Sequence, residues 1–464
     1  MARERTPNTK LAELIAETGW SYAAFAAAFV RVASENGATQ FAAVGKVHVF
    51  HWTKGTVPSD AGPHLLCETL SRRLHRRITL EDAGFGTGSG QQPAGSGWDV
   101  DTLAALADLR RIDIQTRRDL LGAATYQTAA LAVPPMRWWQ QTAHDAAATP
   151  RPAGRHLVND ADLQAVSETT RFITRMDQRL GGGHARTMVG AYLTTTVADL
   201  LNGPFTSDQV RRAMFSAAAE LAYLGGWTRF DNAEHGPALR YFQVAAKLAG
   251  EADDAPLVGH ILRAVAHQAV DLGHPRRALR VAEASLEGQR YLAASPRERA
   301  LLGVVHAKTL GAVGQHRAAT TALLTAENDL ANATPGDTEP DRVFFFAEAS
   351  LAMETACTLR DLGDLQGAEE SFRRSVALRK TDTFTRTHAV TLGYLGAVQI
   401  RRGRLDEACD TWGKALDVAE NVYSGRTRAV ATDIRRELSP FRKRGSRLAA
   451  ALDTRAQAFL ATAH

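Results

Sequence analysis

The sequence predicts an all-α protein built from a small helical bundle followed by an α-solenoid. Two observations support this fold class: apolar residues recur at helical spacing, and a pattern of small residues repeats through the second half of the chain. A glycine-rich stretch separates the two parts. No convincing strand pattern occurs in the N-terminal unit.

Four or five short helices account for most of residues 1–85, and the sequence locates four of them. Ser21 can cap the second helix, and Asn36-Gly37 can end it in a left-handed turn. The third helix is expected from about residue 44 to 54, ending at Gly55. The apolar stripes of the other three helices are Leu11/Leu14/Ile15, Phe25/Phe29/Val32 and Leu65/Leu66/Leu70/Leu74. Helices of this kind form a compact bundle.

The segment "GTGSGQQPAGSG" (residues 86–97) contains five glycines and a proline in twelve residues. Such a composition cannot bury much apolar surface, so it predicts a flexible linker. The predicted domains are therefore 1–85 and 98–464.

The second part repeats, most clearly over residues 215–423. In each copy an alanine stands five residues after a glycine. Four residues after that alanine stands a residue at least as large as alanine. A small residue stands seven residues before the glycine. The glycine/alanine pairs are Gly273/Ala278, Gly314/Ala319, Gly363/Ala368 and Gly403/Ala408. The glycine would end one helix of a hairpin, and the small residues would let its two helices approach. A looser copy precedes these, with an apparent seven-residue insertion between Gly226 and Ala238.

The segment "VTLGYLGAVQIRRGRLDEACDTWGKALDVAE" resembles a tetratricopeptide repeat. The resemblance implies a solenoid of helical hairpins. These copies are longer than the usual ~34 residues and lack the terminal proline, so extended helices are expected.

Composition narrows the classes of function. The chain has 464 residues, a net charge of +5 and three widely separated cysteines with no CxxC pair. We therefore expect neither a disulfide framework nor a zinc ribbon. The sequence shows no signal peptide, no membrane-spanning run and no GxSxG or GxxxxGK[ST] motif, so we expect a cytoplasmic protein that is neither an enzyme nor dependent on a cofactor.

The third helix, within "KVHVFHWTKGTVPSD" (residues 46–60), is rich in cationic and hydrogen-bonding side chains. A metal site is the weaker interpretation, because His48 and His51 match no zinc-finger spacing. A nucleic-acid reader fits better. Val49 and Trp52 can pack inward, leaving Lys46, His48, His51 and Lys54 to face base edges and phosphates. The alternative is that these four are simply solvated.

The register of Val49, Trp52, Gly55 and Pro58 resembles helix-turn-helix domains of the Cro/lambda-repressor (XRE) type. Two features depart from that pattern. Thr53 replaces the usual acidic residue, which predicts a looser local cap, and the second helix and its turn are longer. The resemblance implies that the third helix enters the major groove and that Thr56 lies along the backbone.

The next helix carries "SRRLHRR" (residues 71–77). A charge run of this kind is often a solvated face, but beside a reading helix it could anchor phosphates without sequence preference. The candidate anchors are Arg72, Arg73, Arg76 and Arg77.

Aromatic residues in the second part suggest a groove for a ligand or partner. In "PPMRWWQQ", one of Trp138 and Trp139 is expected in the core and the other at a contact. Trp227, Arg240 and Tyr241 are the further candidates, from a "GW…FD…G…A-x-R-Y-F" phrase that resembles actinobacterial regulators.

The order of helix-turn-helix, linker and helical repeats is similar to actinobacterial XRE-type transcriptional regulators with tetratricopeptide arrays. This resemblance implies a homodimer that binds double-stranded DNA and responds to a peptide, small-molecule or protein effector. The alternative is a protein-interaction scaffold whose N-terminal bundle does not bind DNA.

Overall fold

A computed structural model describes residues 6–86, 98–114, 125–148, 156–334 and 339–462. These residues form an all-α structure, as the sequence predicts, and the β structure recorded among them is an isolated bridge between Val158 and Phe205. Most of the predicted linker, residues 87–97, lies outside the described residues.

The N-terminal domain has four α-helices around one apolar core. They are α1 (Thr9–Glu17), α2 (Tyr22–Glu35), α3 (Lys46–Thr53) and α4 (Gly62–Leu74). Asn8 and Ser21 cap α1 and α2 by accepting hydrogen bonds from Leu11 and Ala24. The buried residues of this core lie between positions 11 and 83.

Between this domain and the repeats, the described residues include five α-helices. They are α5 (Thr102–Ile114), α6 (Met136–Ala148), α7 (Asp160–Leu180), α8 (Gly182–Tyr192) and α9 (Ala198–Leu201). A π-helical turn, Leu193–Val197, joins α8 to α9.

The rest of the described chain forms helical hairpins. The helices are α10 (Asp208–Asp231), α11 (His235–Glu251), α12 (Ala255–Asp271), α13 (Pro275–Ser285), α14 (Gln289–Leu292), α15 (Pro296–Ala312), α16 (His316–Ala331), α17 (Glu348–Leu362), α18 (Leu365–Leu378), α19 (Thr385–Arg401), α20 (Leu405–Ala419), α21 (Gly425–Lys443) and α22 (Arg447–Thr462). Apart from the short α14, consecutive helices pair: α10 with α11, α12 with α13, α15 with α16, α17 with α18, α19 with α20, and α21 with α22.

The repeats share one turn, and this corrects the predicted insertion. Gly226 does not end a helix, because α10 continues to Asp231. The turn falls at Ala233, which has a left-handed φ of 62°. The amide of Ala233 donates to the carbonyl of Phe230, and the amide of Glu234 donates to that of Arg229. Gly273 and Gly403 close their helices with the same pair of bonds. Ala233 therefore replaces the glycine, Ala238 follows at the usual spacing of five, and no residues are inserted.

Small residues inside the hairpins make room for large ones. A Cβ atom on Gly226 would lie 2.5 Å from the Phe242 ring, and one on Gly396 would lie 2.4 Å from the Trp412 indole. Phe242 and Trp412 are almost completely buried. The predicted pairing of a small residue with a larger one nine residues after the turn is thus a packing contact.

Helix α7 bridges the first and fifth hairpins by packing against α10 and α19. The Arg386 guanidinium on α19 lies 2.9 Å from Oδ2 of Asp177 on α7 and 3.5 Å from Oδ1 of Asp231 on α10. Tyr423 extends this closure, since its amide donates to the Leu180 carbonyl and its own carbonyl accepts from Gly183. The first hairpin is therefore held to the fifth hairpin and to the segment that follows it.

Candidate nucleic-acid interface and repeat-domain cavity

Helix α3 has one buried face and one exposed face. Val49 is fully buried, and Trp52 packs edge-on against Phe29 with ring centroids 5.1 Å apart. Both lie in the core, as the spacing predicted. The side chains of Lys46, His48, His51 and Lys54 are exposed in the folded chain. The helix thus has the division between core and surface that a groove-reading helix needs.

The ends of α3 are fixed by local hydrogen bonds. At the start, the Gly45 amide donates to Nδ1 of His48 over 3.2 Å. This bond requires an unprotonated Nδ1, so Nε2 carries the ring proton when the imidazole is neutral. At the end, Gly55 adopts a φ of 93°, and the Thr56 amide donates to the His51 carbonyl.

The expectation of a looser cap at Thr53 is wrong. Thr53 is buried, its hydroxyl donates to the Phe50 carbonyl over 2.9 Å, and its carbonyl accepts from the Asn8 amide. Gly55 completes the helix end without an acidic side chain.

Apolar side chains also lie on the exposed surface of this region. Val47 is 57% exposed, Phe50 46% and Val57 64%. The ammonium of Lys54 lies 5.6 Å from the Phe50 ring centroid. The surface is therefore a mixture of cationic, imidazole and apolar groups.

Three of the four predicted phosphate anchors on or after α4 contact other parts of the protein. Arg73 donates to the Thr18 carbonyl and lies over the Trp20 ring, and Arg76 pairs with Glu17. Arg72 pairs with Glu35 and Glu68 at 2.7 Å each, and its side chain is only 17% exposed. Arg77 is exposed.

Arg72 belongs to the contact between the N-terminal domain and the repeats. Glu68 accepts from the Thr128 amide, and the Tyr126 amide donates to the Asn36 side chain. Across the same contact, Nε2 of His274 lies 3.3 Å from Oε2 of Glu35.

The Tyr126 ring stacks on His274 in this contact. Burial alone would raise the pKa of Glu35, but the hydrogen bond with His274 and the charge of Arg72 outweigh it and lower the pKa. The contact is thus largely polar, with an ionised carboxylate at its centre.

The adjacent tryptophans belong to an aromatic packing cluster. Trp139 is buried, Trp138 is partly buried, and Trp98 packs edge-on against both. The Trp139 indole donates to the Pro134 carbonyl, and Arg290 lies over its ring. These contacts support the prediction of one core tryptophan and one at a contact. Neither tryptophan lines the repeat-domain cavity.

Tyr241 and Arg240 do not line the repeat-domain cavity either. Tyr241 is fully buried, donates from its hydroxyl to Asp113, and stacks under the guanidinium of Arg229 at 3.8 Å. Arg240 is partly buried, and burial lowers its pKa. Among the predicted groove residues, Trp227 lines the cavity.

The cavity lies between α7, α10 and the segment before α17, and has a volume of about 300 Å³. Its aromatic side chains are Tyr223, Trp227, Phe344 and Phe345. Its charged side chains are Arg171, Arg175, Asp177, Glu220, Asp341 and Arg342. Of these lining residues, the sequence predicted only Trp227. The run "VFFF" at 343–346 was the available signal, whereas the α7 residues had none because they precede the clear repeats.

Ion pairs support the cavity wall. Arg342 binds both carboxylate oxygens of Glu298, at 2.7 and 2.9 Å, and also donates to Glu220. Asp177 and Asp231 share Arg386. Burial raises the pKa of Asp177 to about 6, and the neighbouring charge of Asp231 adds to this effect, whereas Arg386 opposes it.

Comparison with known proteins matches part of the chain. Residues 11–86 are similar to a family described as the SP15 N-terminal domain. The match ends within one residue of the predicted domain boundary. This family is not the Cro/lambda-repressor helix-turn-helix family that the α3 motif resembles. No curated protein matches the chain.

Within the described residues, no helix combines the length and apolar character required to cross a bilayer.

Proposed function

We propose that this protein is a DNA-binding transcriptional regulator. Its N-terminal domain presents α3 to the major groove, and its repeat domain mediates dimerisation, effector binding or both. The observation that carries this proposal is the α3 surface, where Lys46, His48, His51 and Lys54 are exposed while Val49 and Trp52 anchor the helix. Lysines pair with phosphates and guanine, and imidazoles hydrogen-bond to base edges.

The α3 geometry supports specific roles for its side chains. Because Nδ1 of His48 accepts from Gly45, Nε2 of its neutral ring can donate to a base or phosphate. Thr56 follows the helix end and would lie along the backbone. Phe50 and Val47 can contact thymine methyl groups, the apolar feature of the major groove. Among the arginines, Arg77 is the most available for phosphate contact, while Arg72 is held by Glu35 and Glu68 and donates to the Tyr126 carbonyl outside the domain.

A symmetric dimer would place two α3 helices on successive major grooves. Half-sites are read about one helical turn apart, ~34 Å, so a change in the spacing of two N-terminal domains would alter affinity. In this proposal the protein acts in the cytoplasm, as a homodimer on double-stranded DNA.

The second candidate is a protein-interaction scaffold. The observation that favours it is the exposure of Val47, Phe50 and Val57 in and just beyond α3. Clustered exposed apolar side chains mark many protein-binding surfaces. The α2–α3 connection, residues 36–45, is also longer than a tight helix-turn-helix turn.

A mobility-shift titration with the gene's own upstream DNA, at two salt concentrations, separates the candidates. The regulator predicts sequence preference and steep salt dependence. Lys46→Ala and His51→Ala should each weaken specific binding by roughly tenfold, the effect of losing one good base or phosphate contact. Lys46→Ala should also reduce the salt slope by about one if Lys46 contacts a phosphate.

Lys414→Ala is the matched control, because Lys414 is also exposed but lies on α20, in a surface pair with Asp410. It should leave DNA affinity unchanged, and thermal melts should show all three variants folded. If the wild-type protein binds no DNA at low salt but retains a protein partner through Phe50, the regulator proposal is wrong.

A further inference from the structure

We propose that the repeat-domain cavity binds a small organic anion with an aromatic body, such as an aromatic carboxylate. The cavity volume of about 300 Å³ is typical of small-molecule sites, which combine apolar walls with a few placed polar groups. Binding itself is independent of DNA. Only the role of such an anion as an effector rests on the proposed function.

The apolar side of the cavity is aromatic. Tyr223 and Trp227 come from successive turns of α10, and their rings stack at a centroid distance of 6.5 Å. Phe344 and Phe345 face them from the segment before α17. Planar ligands pack on such surfaces by offset stacking and edge-to-face contact. The walls therefore favour a flat, unsaturated body over a flexible polar one.

The carboxylates of the lining are already paired with arginines. Asp177 pairs with Arg386 at 2.9 Å, Glu220 with Arg342 at 3.0 Å, and Asp341 with Arg171 at 2.7 Å. A cationic ligand would have to displace an arginine from one of these pairs. The two most buried pairs would resist most, because breaking them leaves a guanidinium without its partner.

Arg175 has a different environment. It lies one turn after Arg171 on α7, it is exposed, and the described residues include no hydrogen-bond or ion-pair partner for it. Arg171 itself is held only by an exposed pair, in which its side chain is 40% exposed and that of Asp341 62%. Exposed pairs of this kind contribute little and exchange partners easily. The charge available to a ligand is therefore positive.

Guanidinium groups recognise carboxylates through two parallel hydrogen bonds. A carboxylate at Arg175, with Arg171 one helical turn away, would leave the body of the ligand beside the four aromatic rings. Arginine and aromatic groups together thus specify both ends of the ligand.

The cavity is also connected to the N-terminal domain. Glu220, Tyr223 and Trp227 belong to α10, which ends at the Ala233 turn. A Cβ atom on Gly37 would lie 3.9 Å from the Ala233 carbonyl oxygen, so that turn lies beside the α2–α3 connection. A ligand that shifts α10 would reach the N-terminal domain through this contact.

Isothermal titration of the full chain with three matched probes tests the proposal. The probes are 1-naphthoate, the neutral 1-naphthalenemethanol and the cationic 1-naphthylmethylamine. We expect naphthoate to bind at least about tenfold more tightly than the alcohol, the gain of a charge-assisted bidentate contact, and the amine to bind most weakly. Arg175→Gln should reduce naphthoate affinity about tenfold and leave that of the alcohol unchanged.

Two further variants separate the charge from the aromatic wall. Phe345→Ala should weaken naphthoate and the alcohol alike, because it removes ring contact. Arg212→Gln is the matched control, since Arg212 is an exposed arginine of α10 that pairs with Asp208 outside the cavity lining. It should change neither affinity.

Binding of the amine or the alcohol as tightly as naphthoate would overturn the proposal, as would no heat of naphthoate binding at millimolar concentration. Repeating the mobility shift with naphthoate keeps the two proposals apart. Naphthoate binding by a protein that never shifts DNA supports the cavity and counts against the regulator. A DNA shift by a protein that binds no naphthoate does the reverse.

Discussion

Two groups of charged side chains, one on α3 of the N-terminal domain and one in the repeat domain, have opposite environments. In the N-terminal domain, Lys46 at the start of α3 and Lys54 just after its end extend into solvent, over a core of apolar side chains. In the repeat domain, Lys308 is buried, with its ammonium 2.9 Å from Asp271 and 3.5 Å from Glu354. Charges on α3 are free to meet a partner, whereas the buried charges hold helices of different hairpins together.

The buried pairs join neighbouring hairpins of the array. Asp271 ends α12, Lys308 is on α15 and Glu354 is on α17, so one ammonium links three successive hairpins. Similarly, His260 on α12 contacts Glu298 on α15, which also binds Arg342. Because each pair joins particular residues of different hairpins, we infer that these pairs help to define which surfaces meet.

The largest expected effect concerns Lys308. Lys308→Met removes the cation shared by the buried Glu354 and the partly exposed Asp271, so we expect the free energy of unfolding to fall by about 3 kcal/mol, the lower end of the range for buried pairs. Lys414→Met is the control, because Lys414 forms an exposed pair with Asp410 and should cost less than about 0.5 kcal/mol. Urea denaturation at pH 7 measures both. If both variants lost the same small amount of free energy of unfolding, the Lys308 cluster would matter no more for stability than an exposed pair.

A smaller effect concerns the pH dependence of stability. Burial, aided by the charge of Arg263, lowers the pKa of His260 from 6.5 to about 4. The folded state thus resists protonation, so its stability is complete above pH 6.5 and is lost as the pH falls towards 4. At pH 5 the loss from this residue is about 2 kcal/mol.

His260→Gln should abolish that part of the acid sensitivity. The test compares wild type with the variant by urea denaturation from pH 8 to pH 5. Glu298, the partner of His260, has a pKa of about 2 in the fold and stays ionised over this range. Parallel pH profiles for the two proteins would show that His260 is not kept neutral.

The smallest effect concerns the Ala233 turn. Alanine at a left-handed φ costs roughly 1 kcal/mol, which glycine avoids. Ala233→Gly should therefore raise the free energy of unfolding by about 0.5–1 kcal/mol. Ala165→Gly, at an exposed position inside α7, should lower it by about the same amount. Thermal or urea unfolding distinguishes the two signs, and a loss at both positions would rule out the shared turn.

Local chemistry explains which predictions from sequence succeeded. The repeat pattern was visible because glycine favours the left-handed turn and small residues permit close helices, and both preferences are local. The same reliance on glycine caused the error at Gly226. An alanine in the left-handed conformation at Ala233 has no sequence signal, so the glycine-based pattern places the turn at Gly226 instead. Similarly, the buried positions of Val49 and Trp52 followed from helical spacing alone.

The partners of the charged side chains were decided only by the tertiary structure. Arg386 meets Asp177 from 209 residues away, and Arg72 meets Glu35 within its domain while His274 approaches the same carboxylate from the repeats. The cavity likewise combines α7 with residues far along the chain. The sequence by itself determined the helices, the repeats and the exposed face of α3, because helical periodicity and turn chemistry act over a few residues. Which charges pair, and where a cavity remains, depends on packing between distant segments.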